Sequence, residues 1–345
     1  MGKTRSDNHT TSIHSSAAVD IGSSQVKALG GPADARADQA RTFSIPSVVT
    51  TAQGTTEMYG LLAPDTVHLG GQQYVCGSDA RDLTDGASLA ETRHQDWPET
   101  TSWMALLHLT LHKLEMDGNV TLSLGVPQAH YLRLRDAVKK KLQGRNRVKV
   151  GDVRRELYLH VQVVPQAAAA ALHAIESGHM DAGATRIGVI DIGFFTTGFA
   201  VVDVSSARPR FVPRQSGGIK AGVGNLQDEV GRLLATQYNR FPEPDDLDRI
   251  LQCGALRVPS GEIELTSDLT RIAHSQSDPI IQWVQQHWRD INGMDIILAG
   301  GGAAYFASAV RNQLASHART LPEPAWAVAH GLYLEAQRQA AADGV

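Results

Sequence analysis

The clearest pattern in this chain is a hydrophobic run that breaks for a polar turn and then resumes. Residues 187–202 read IGVIDIGFFTTGFAVV, in which apolar residues lead to Asp191, a turn forms at Gly193, and Thr196 and Thr197 precede a second apolar run. This pattern predicts two buried strands joined as a hairpin. A carboxylate and two hydroxyls at the turn of a buried hairpin suit a phosphate and its metal ion.

A second hairpin of the same form stands near the start of the chain. Residues 17–29 read AAVDIGSSQVKAL, with Asp20 at the end of the first apolar run and Lys27 in the second. The Gly-Ser-Ser turn between them can direct amide N–H groups and hydroxyls at an anion, while Lys27 adds a positive charge. The spacing GxxxxGK[ST] of a P-loop does not occur. Two copies of apolar strand, Asp-Ile-Gly, polar turn and apolar strand indicate a duplicated lobe.

The rest of the chain alternates strands with helices, which predicts an α/β protein. The predicted elements are strands over 43–49 (entered through Pro46), 120–126, 157–165 and 294–299, and helices over 103–114, 131–142, 166–177 and 303–314. Two stretches read as small insertions. One is turn-rich, over 50–96, with strand-like pieces near Met58 and at 73–76; the other is mainly helical, over 236–290, with a strand pair at 255–265.

Three further segments favour ligand binding, although each motif is common by itself. Gln166 follows the strand that ends at Pro165 and opens a helix, and α/β proteins place ligands at this edge of a sheet. A glycine-rich loop over 217–224 leads into a helix that Asn225 can cap. A turn of three glycines at 300–302 lets the backbone approach phosphates or a flat ring without an intervening Cβ.

Composition narrows the class of protein. The chain has 345 residues, 42% of them hydrophobic and 20% charged, with a formal net charge of -4. These values are typical of a folded globular protein of two similar lobes and give no overall attraction to nucleic acid. Cys76 and Cys253 are far apart and predict neither a disulfide framework nor a zinc site. No apolar run is long enough to span a bilayer, so we expect a cytoplasmic protein without direct membrane binding.

Residues 133–155 concentrate positive charge in an otherwise acidic chain. Ten basic residues fall in this stretch: Arg133, Arg135, Lys139, Lys140, Lys141, Arg145, Arg147, Lys149, Arg154 and Arg155. A solvated helix face and loop explains such a run, as does a contact with a protein polymer or a nucleic acid. Aromatic residues do not interleave with the charges along the sequence, so base stacking is not indicated.

Taken in order, the motifs resemble the actin-like ATPase superfamily and, within it, bacterial plasmid-segregation actins of the ParM/StbA type. The similar segments run from residue 17 to about 336: AVDIGSSQVKAL, FSIPSVV, VTLSLGVPQAHYLRLRDAVKKKLQG, VQVVPQAAAAAL, VIDIGFFTTGFAVVD, GGIKAGVGNL and DIILAGGGAAYF. The resemblance implies a duplicated α/β fold, ribonuclease H-like, with two lobes around a nucleotide cleft. A mobile tail would cover 1–16, the first lobe 17–190 with an insertion at about 46–100, and the second lobe 191–345 with an insertion at about 236–290.

The resemblance also implies a role for each motif in binding ATP and Mg²⁺. Asp20 and Asp191 would face the metal ion mostly through its water ligands, and Gln166 would place the attacking water. The remaining implied contacts are to the nucleotide: Ser23, Ser24 and Lys27 to the β- and γ-phosphates; Gly193, Thr196 and Thr197 on the other side of the phosphates; Gly218, Gly222 and Asn225 beside the ribose; and Gly300, Gly301 and Gly302 behind the adenosine.

The function implied is an ATPase that forms head-to-tail filaments and segregates plasmid DNA through a DNA-bound adaptor protein. Two alternatives remain open: an actin-like scaffold that hydrolyses weakly or does not polymerise, and a small-molecule kinase of the same nucleotide-binding fold. The chain departs from the family pattern at three places. Gln166 stands where many ParM relatives have an acidic residue, Phe194 and Phe195 occupy turn positions that are often small or polar, and Gly198 replaces a frequent aspartate.

Overall fold

The computed structural model describes residues 14–52, 65–83, 92–206, 209–259 and 261–343. The strands are β1 His14–Ile21, β2 Gln25–Pro32, β3 Arg41–Pro46, β4 Val49–Thr51, β5 Thr66–Leu69, β6 Gln72–Cys76, β7 Gly118–Val126, β8 Gly144–Val150, β9 Val153–Pro165, β10 Arg186–Ile192, β11 Thr197–Asp203, β12 Arg210–Phe211, β13 Gly217–Ile219, β14 Ala255–Val258, β15 Gly261–Glu264, β16 Asp295–Ala299 and β17 Arg319–Thr320.

The helices of the described residues differ widely in length. They are α1 Ser78–Arg81, α2 Thr101–Lys113, α3 Tyr131–Leu142, α4 Gln166–Glu176, α5 Val223–Tyr238, α6 Pro244–Cys253, α7 Thr266–His287, α8 Ala303–Gln313 and α9 Ala327–Ala342. Within the described ranges, no helix has the length and apolar character needed to cross a bilayer.

Two sheets share one plan. The first has the order β3-β2-β1-β7-β9-β8-β5-β6-β4, and the second has the order β12-β11-β10-β16-β17 with β13 also paired to β11. In each, an antiparallel hairpin (β1–β2 or β10–β11) is followed by a strand parallel to its first member, β7 or β16. The central strands β1 and β10 are buried over residues 16–21 and 187–192, because helices cover both faces there. The repeated arrangement is the duplication that the two Asp-Ile-Gly hairpins predict.

Two helices between the sheets join the halves, because each packs on the sheet of the other half. Helix α4 follows the first sheet along the chain but packs against β10 and β11 of the second, whereas α9 follows the second sheet and packs against β1 and β7 of the first. The two helices also pack on each other, with Ala169, Ala170 and Ala174 fully buried. Small side chains on both helices permit this close crossing. At its tightest point a Cβ added to Gly331 would overlap the backbone carbonyl of Ala169.

The two insertions take different forms. The first adds β4, β5 and β6 to the edge of the first sheet, joined where Val67 of β5 pairs with Val150 of β8. The second consists of α6, the hairpin β14–β15 and α7, packed on the second lobe. The division of lobes at residues 190 and 191 stays a prediction, although strand β10 runs across it and α9 packs on the first sheet.

Several local predictions need correction. The predicted tail includes residues 14–16, but these residues begin β1. Residues 1–13 and the piece near Met58 lie outside the described residues. Pro46 ends a strand instead of leading into one. Residues 144–150, expected to be loop, form β8, because Val148 and Val150 alternate with polar residues and bury one face of the strand.

The helix crossing leads to a prediction about stability. We expect Gly331→Ala to lower the free energy of unfolding by at least about 1–3 kcal/mol, because the new methyl group must push the crossing helices apart. The matched control is Gly231→Ala within α5, where an added Cβ meets no atom within 4 Å. This control should be neutral or stabilising by up to about 1 kcal/mol. Chemical denaturation of both variants tests the difference, and equal effects would contradict the tight crossing.

Candidate functional site

The turns of the two equivalent hairpins have the same backbone geometry. The Gly22 N–H donates to the Gln25 carbonyl (3.1 Å), and the Gly193 N–H donates to the Thr196 carbonyl (2.9 Å). Asp20 and Asp191 each stand two residues before the turn glycine, at the carboxyl end of a central parallel strand. Because ligands of α/β proteins bind beyond this end of the strands, both carboxylates are placed where a ligand would lie.

A cavity of about 330 Å³ lies between the two turns. Most of the residues predicted for the site line it: Asp20, Ser23, Ser24, Lys27, Gln166, Asp191, Gly193, Thr196, Gly300, Gly301 and Gly302. The structure therefore brings segments from four separate parts of the chain to one place. Thr197, Gly218, Gly222 and Asn225 do not line this cavity and lie behind the second turn.

The two aspartates form a buried pair at the base of the cavity. Asp20 is 7% exposed and Asp191 is 8% exposed. Burial, together with the nearby charge of Asp20, raises the pKa of Asp191 to about 7, while Lys27 acts in the opposite direction. Burial also raises the pKa of Asp20, against the influence of Lys27 and a hydrogen bond from Gln166. Lys27 therefore does not fully compensate the negative charge of the ionised pair, and a cation bound nearby would stabilise its ionised form.

Gln166 is fixed at the edge of this pair. Its Nε2 donates to Asp20 Oδ1 at 2.6 Å, and the side chain lines the cavity, where Oε1 can act as an acceptor. Gln166 is the first residue of α4, and Gly198 makes room for that helix, since a Cβ at Gly198 would stand 3.2 Å from the Cβ of Ala167. Gly198 is the cross-strand partner of Asp191, just as Lys27 is the partner of Asp20. The departure at Gly198 therefore has a packing reason.

The second turn is held from behind by the start of α5. The amides of Val223 and Gly224 donate to the carbonyls of Gly193 (3.1 Å) and Phe194 (2.8 Å). The Thr197 hydroxyl, fully buried, donates to the carbonyl of Ala221 at 2.7 Å. Thr197, which the resemblance places beside the phosphates, is thus hydrogen-bonded to the protein backbone.

The other glycine-loop residues have similar positions. Asn225 Oδ1 accepts from the Gly222 N–H (3.1 Å), and Gly222 packs directly against the Gly193 and Phe194 carbonyls. Gly218 lies opposite Gly198 in the pairing of β13 with β11. The first turn has its own support, because the Ser47 hydroxyl donates to the Gly22 carbonyl at 2.6 Å and the Ser47 amide donates to the Ser24 carbonyl at 2.9 Å.

The three-glycine turn closes the cavity on the second lobe. Gly300 has a positive φ of 82°, and a Cβ there would stand 2.6 Å from Asp191 Oδ1. The Gly302 amide donates to the Ile192 carbonyl at 2.8 Å. Gly301, in contrast, has open space where a Cβ would be. Gly300 thus needs to be glycine for the backbone to pass Asp191, and Gly301 leaves an uncovered stretch of backbone toward the cavity.

The two unexpected phenylalanines interact with cations. The Arg93 guanidinium lies 5.1 Å from the centre of the Phe194 ring and 3.6 Å from Asp228 Oδ1 on α5. Lys220 Nζ lies 5.8 Å from the centre of the Phe195 ring. Arg93 belongs to the first insertion, whereas Phe194 and Asp228 belong to the second lobe, so this contact bridges the mouth of the cleft.

A second ion pair crosses the cleft beside it. Arg81 Nη1 lies 2.6 Å from Asp245 Oδ1, which joins α1 of the first insertion to α6 of the second. Both partners are partly exposed, so the ion pair alone contributes about 0–1 kcal/mol. Together with the Arg93 contacts it joins the first insertion to the second lobe and its insertion beside the cavity.

Sequence reasoning missed parts of the cavity wall, most of which the insertions supply. Thr92, Trp97 and His130 line the first-lobe side, and Asp248, Gln252 and Tyr305 line the second-lobe side. Asp248 accepts from Gln227 Nε2 at 2.6 Å, and burial raises the pKa of both Asp248 and Tyr305. No spacing rule links these residues in the sequence, and only the faces that α6 and α8 present could have indicated them.

The donor set fits a hard cation such as Mg²⁺. Two buried carboxylates and an amide oxygen are oxygen donors, which this ion prefers, and Mg²⁺ commonly keeps several water or phosphate ligands. Among the described residues no group of three or more His, Cys, Asp or Glu side chains forms a complete metal cage. An ion here would therefore be completed by water and by a bound phosphate.

Comparison with known proteins agrees with this architecture. Residues 18–168 match the family model described as actin like proteins N terminal domain, and residues 189–312 match the archaeal actin homologue MreB-like C-terminal model. A search of curated proteins gives no significant match.

Solved structures of similar shape cover nearly the whole chain. A non-polymerisable quadruple mutant of pCBH ParM has a TM-score of 0.76 at 20% identity, over 94% of this chain and 99% of that one. The archaeal actin homolog Ta0583 complexed with ADP has a TM-score of 0.74 at 16% identity, with 94% and 99% covered. A 15-stranded ParM filament from Clostridium botulinum has a TM-score of 0.71 at 20% identity, with 94% and 99% covered. The predicted duplicated actin-like fold is thereby confirmed; at these identities the likeness establishes fold alone.

The carboxylate pair leads to a prediction about pH. Because the pKa of Asp191 is about 7 in the folded chain against 3.8 as the reference value, the folded state binds more protons between these pH values. The free energy of unfolding of the ligand-free protein in chelator should therefore fall as pH rises from about 4 to about 7. Asp191→Asn should remove most of this slope. The measurement is thermal unfolding across pH, and an unchanged slope in the variant would contradict the raised pKa.

Proposed function

Because this chain belongs to the actin-like proteins, we propose that it is an ATP hydrolase that assembles into filaments with ATP bound. The filaments are lost after hydrolysis and move or position plasmid DNA through an adaptor protein. The observation that carries the proposal is the pair of buried carboxylates, Asp20 and Asp191, which two equivalent turns present to one cavity.

The phosphates would bind mainly to the first turn. Ser23 and Ser24 are partly exposed at the cavity wall and offer hydroxyl and amide donors, and Lys27, the cross-strand partner of Asp20, adds a positive charge. On the second turn, Thr196 lines the cavity and has a hydroxyl to offer. Phe194 and Phe195 bring no side-chain donor to the positions equivalent to Ser23 and Ser24. The first lobe therefore supplies most of the direct phosphate contacts.

Mg²⁺, when bound near Asp20 and Asp191, would neutralise the phosphate charge that develops during transfer. Gln166 would orient the attacking water, because its amide N–H₂ is fixed on Asp20 and its Oε1 remains free to accept a hydrogen bond from water. A glutamine amide cannot take up a proton as a useful base, so catalysis rests on positioning and charge. We therefore expect slow hydrolysis.

The nucleoside would lie on the second lobe. Gly301 offers uncovered backbone, and Tyr305 stands one helical turn beyond it on α8, near the Asp248 carboxylate. That carboxylate can accept from the exocyclic amine of adenine. Gly300 and Gly302 pack closely against Asp191 and Ile192, so their role would be to shape the cavity wall on this lobe.

Assembly would join subunits head to tail, since a heterologous contact that does not close produces an open filament. Two of the similar solved structures are described as filaments, one of ParM and one of Alp12. A scaffold that binds nucleotide but hydrolyses weakly is the second candidate, and the absence of a base at Gln166 favours it. The two differ in whether phosphate release follows assembly.

One experiment separates these functions. With ATP and Mg²⁺, the parent protein should show a rise in light scattering, filaments by negative-stain microscopy, and later phosphate release. Asp191→Ala should abolish hydrolysis. Gln166→Ala should slow hydrolysis by at least about tenfold, and its filaments should persist longer.

The control variant is Gln162→Ala. It removes an amide on β9 that donates to Glu335, away from the cavity, and it should hydrolyse at the parent rate. A protein that stayed monomeric under all nucleotide conditions would refute assembly, and turnover near the parent rate in Asp191→Ala would refute its role.

The contacts at the cleft mouth predict the rate of nucleotide release. Arg93→Ala removes both the Phe194 and the Asp228 contacts across the cleft, worth about 1–2 kcal/mol together, and should speed nucleotide release about five- to thirtyfold. The matched control is Arg232→Ala, which breaks an ion pair to Glu229 within α5. Stopped-flow release of a fluorescent ATP analogue measures both. Equal release rates would show that Arg93 does not hold the cleft closed.

A further inference from the structure

The ten basic residues of the 133–155 stretch do not form one surface. Helix α3 packs on one face of the first sheet through Leu134, Val138 and Leu142, and several of its cations bind acidic or carbonyl groups there. Arg133 pairs with Asp96 and Glu99, and Lys141 donates to the Glu99 carbonyl. The cations of the β8–β9 hairpin other than Arg155 project from the opposite face of the sheet. Arg155 alternates with Arg154 and lies on the same face as Leu157, near His112 of α2.

Strand alternation defines this second surface. Val148 and Val150 of β8 and Leu157 and Leu159 of β9 are buried toward the helices, so the residues between them point the other way. The register places Arg145 beside Tyr158, Arg147 beside Glu156 and Lys149 beside Arg154. We call Arg145, Arg147, Lys149, Arg154 and Tyr158 the basic sheet face.

Aromatic rings that are dispersed in the sequence gather at one end of the basic sheet face. Tyr158 is 46% exposed, its ring centre lies 5.1 Å from that of His160, and His160 lies 5.8 Å from His14 on β1. The sequence shows no such interleaving, because His14 and His160 meet only when β1, β7 and β9 align. An exposed tyrosine beside cations on a flat sheet is a platform on which a base can stack.

The basic sheet face is left uncovered by the described part of the chain. Helix α9 reaches β9 at Gln162, which donates to Glu335, and its end brings Asp343 near His14. Toward Arg145 and Arg154 the same face carries no described helix. The one carboxylate within the set of cross-strand pairs, Glu156, is bound by Arg147. Partial burial lowers the pKa of His68. The charges of Lys149 and Arg154 lower it further, while Asp152 acts in the opposite direction.

We propose that the basic sheet face binds the phosphate backbone of single-stranded nucleic acid, with Tyr158 stacking on a base. Along β8, Arg145 and Lys149 are four residues apart, or about 14 Å, so they can contact different phosphates of one strand. A second copy of this chain fits the face less well, because three acidic side chains of the second insertion already pair within the chain. These pairs are Asp245–Arg81, Asp246–Arg249 and Asp268–Arg271.

The test is fluorescence anisotropy of a labelled oligo(dT) of about 20 nucleotides with the full chain, at salt from about 50 to 200 mM. Arg145→Gln with Arg154→Gln should weaken binding about tenfold or more and reduce the magnitude of the salt slope by about 1.4. The matched control is Lys139→Gln with Lys140→Gln, which removes the same charge from α3 on the other face and should change affinity by less than about twofold.

The stacking role is tested at Tyr158. Tyr158→Ala should lower affinity for oligo(dT) about five- to hundredfold, with a smaller loss for a duplex of the same length, whereas Tyr158→Phe should bind as the parent does. Binding that is absent or independent of salt would overturn the proposal, as would equal losses in the two double variants. A different result would show instead that this face joins copies of the chain. In that case the parent would not bind the oligonucleotide, and Arg145→Gln with Arg154→Gln would lose the nucleotide-dependent light scattering.

Discussion

The crossing of α4 and α9 is the constraint on which the rest of the molecule depends. Each helix packs on the sheet of the other lobe, so neither lobe can complete its core without the other. Gly331 lets the helices meet with only backbone between them at Ala169. Because α4 begins at Gln166, the same crossing sets how far the Gln166 amide reaches toward Asp20. The geometry of the site is therefore set by packing well outside the cavity.

The carboxylate pair opposes the stability that this packing provides. Two buried acids facing one cavity raise each other's cost of ionisation, and Lys27 offsets only part of it. Such an arrangement has no structural advantage over neutral side chains, because burying two carboxylates costs free energy that Lys27 offsets only in part. A ligand that brings positive charge to the pair would stabilise the folded chain, so under the proposed function ligand binding and the stability of the cleft are coupled.

Much of the fold follows from the sequence because the hairpins, the central strands and the amphipathic helices are local patterns. Asp20, Asp191, Gln166 and Gly301 were found this way, since each sits at a strand end or a glycine turn. What could not be predicted depends on contacts between distant segments. Thr197 belongs to the same turn as Thr196, but its hydroxyl faces the Ala221 carbonyl instead of the cavity. Asp248 and Tyr305 reach the cavity only because α6 and α8 are folded against it.

The departures at Phe194 and Phe195 make sense once the two turns are compared. Both turns close with the same hydrogen bond, donated by the N–H of the turn glycine. The duplication therefore preserved backbone geometry while the side chains diverged. Small hydroxyls on the first turn leave space and donors for an anion. On the second turn the aromatic rings instead attract Arg93 and Lys220, and the start of α5 uses its free amides to hold the turn. A helix start whose amides bind carbonyls cannot also bind a phosphate. These two amides are therefore not available to an anion, and the second turn is held instead by α5 and by Arg93, which reaches it from the first insertion.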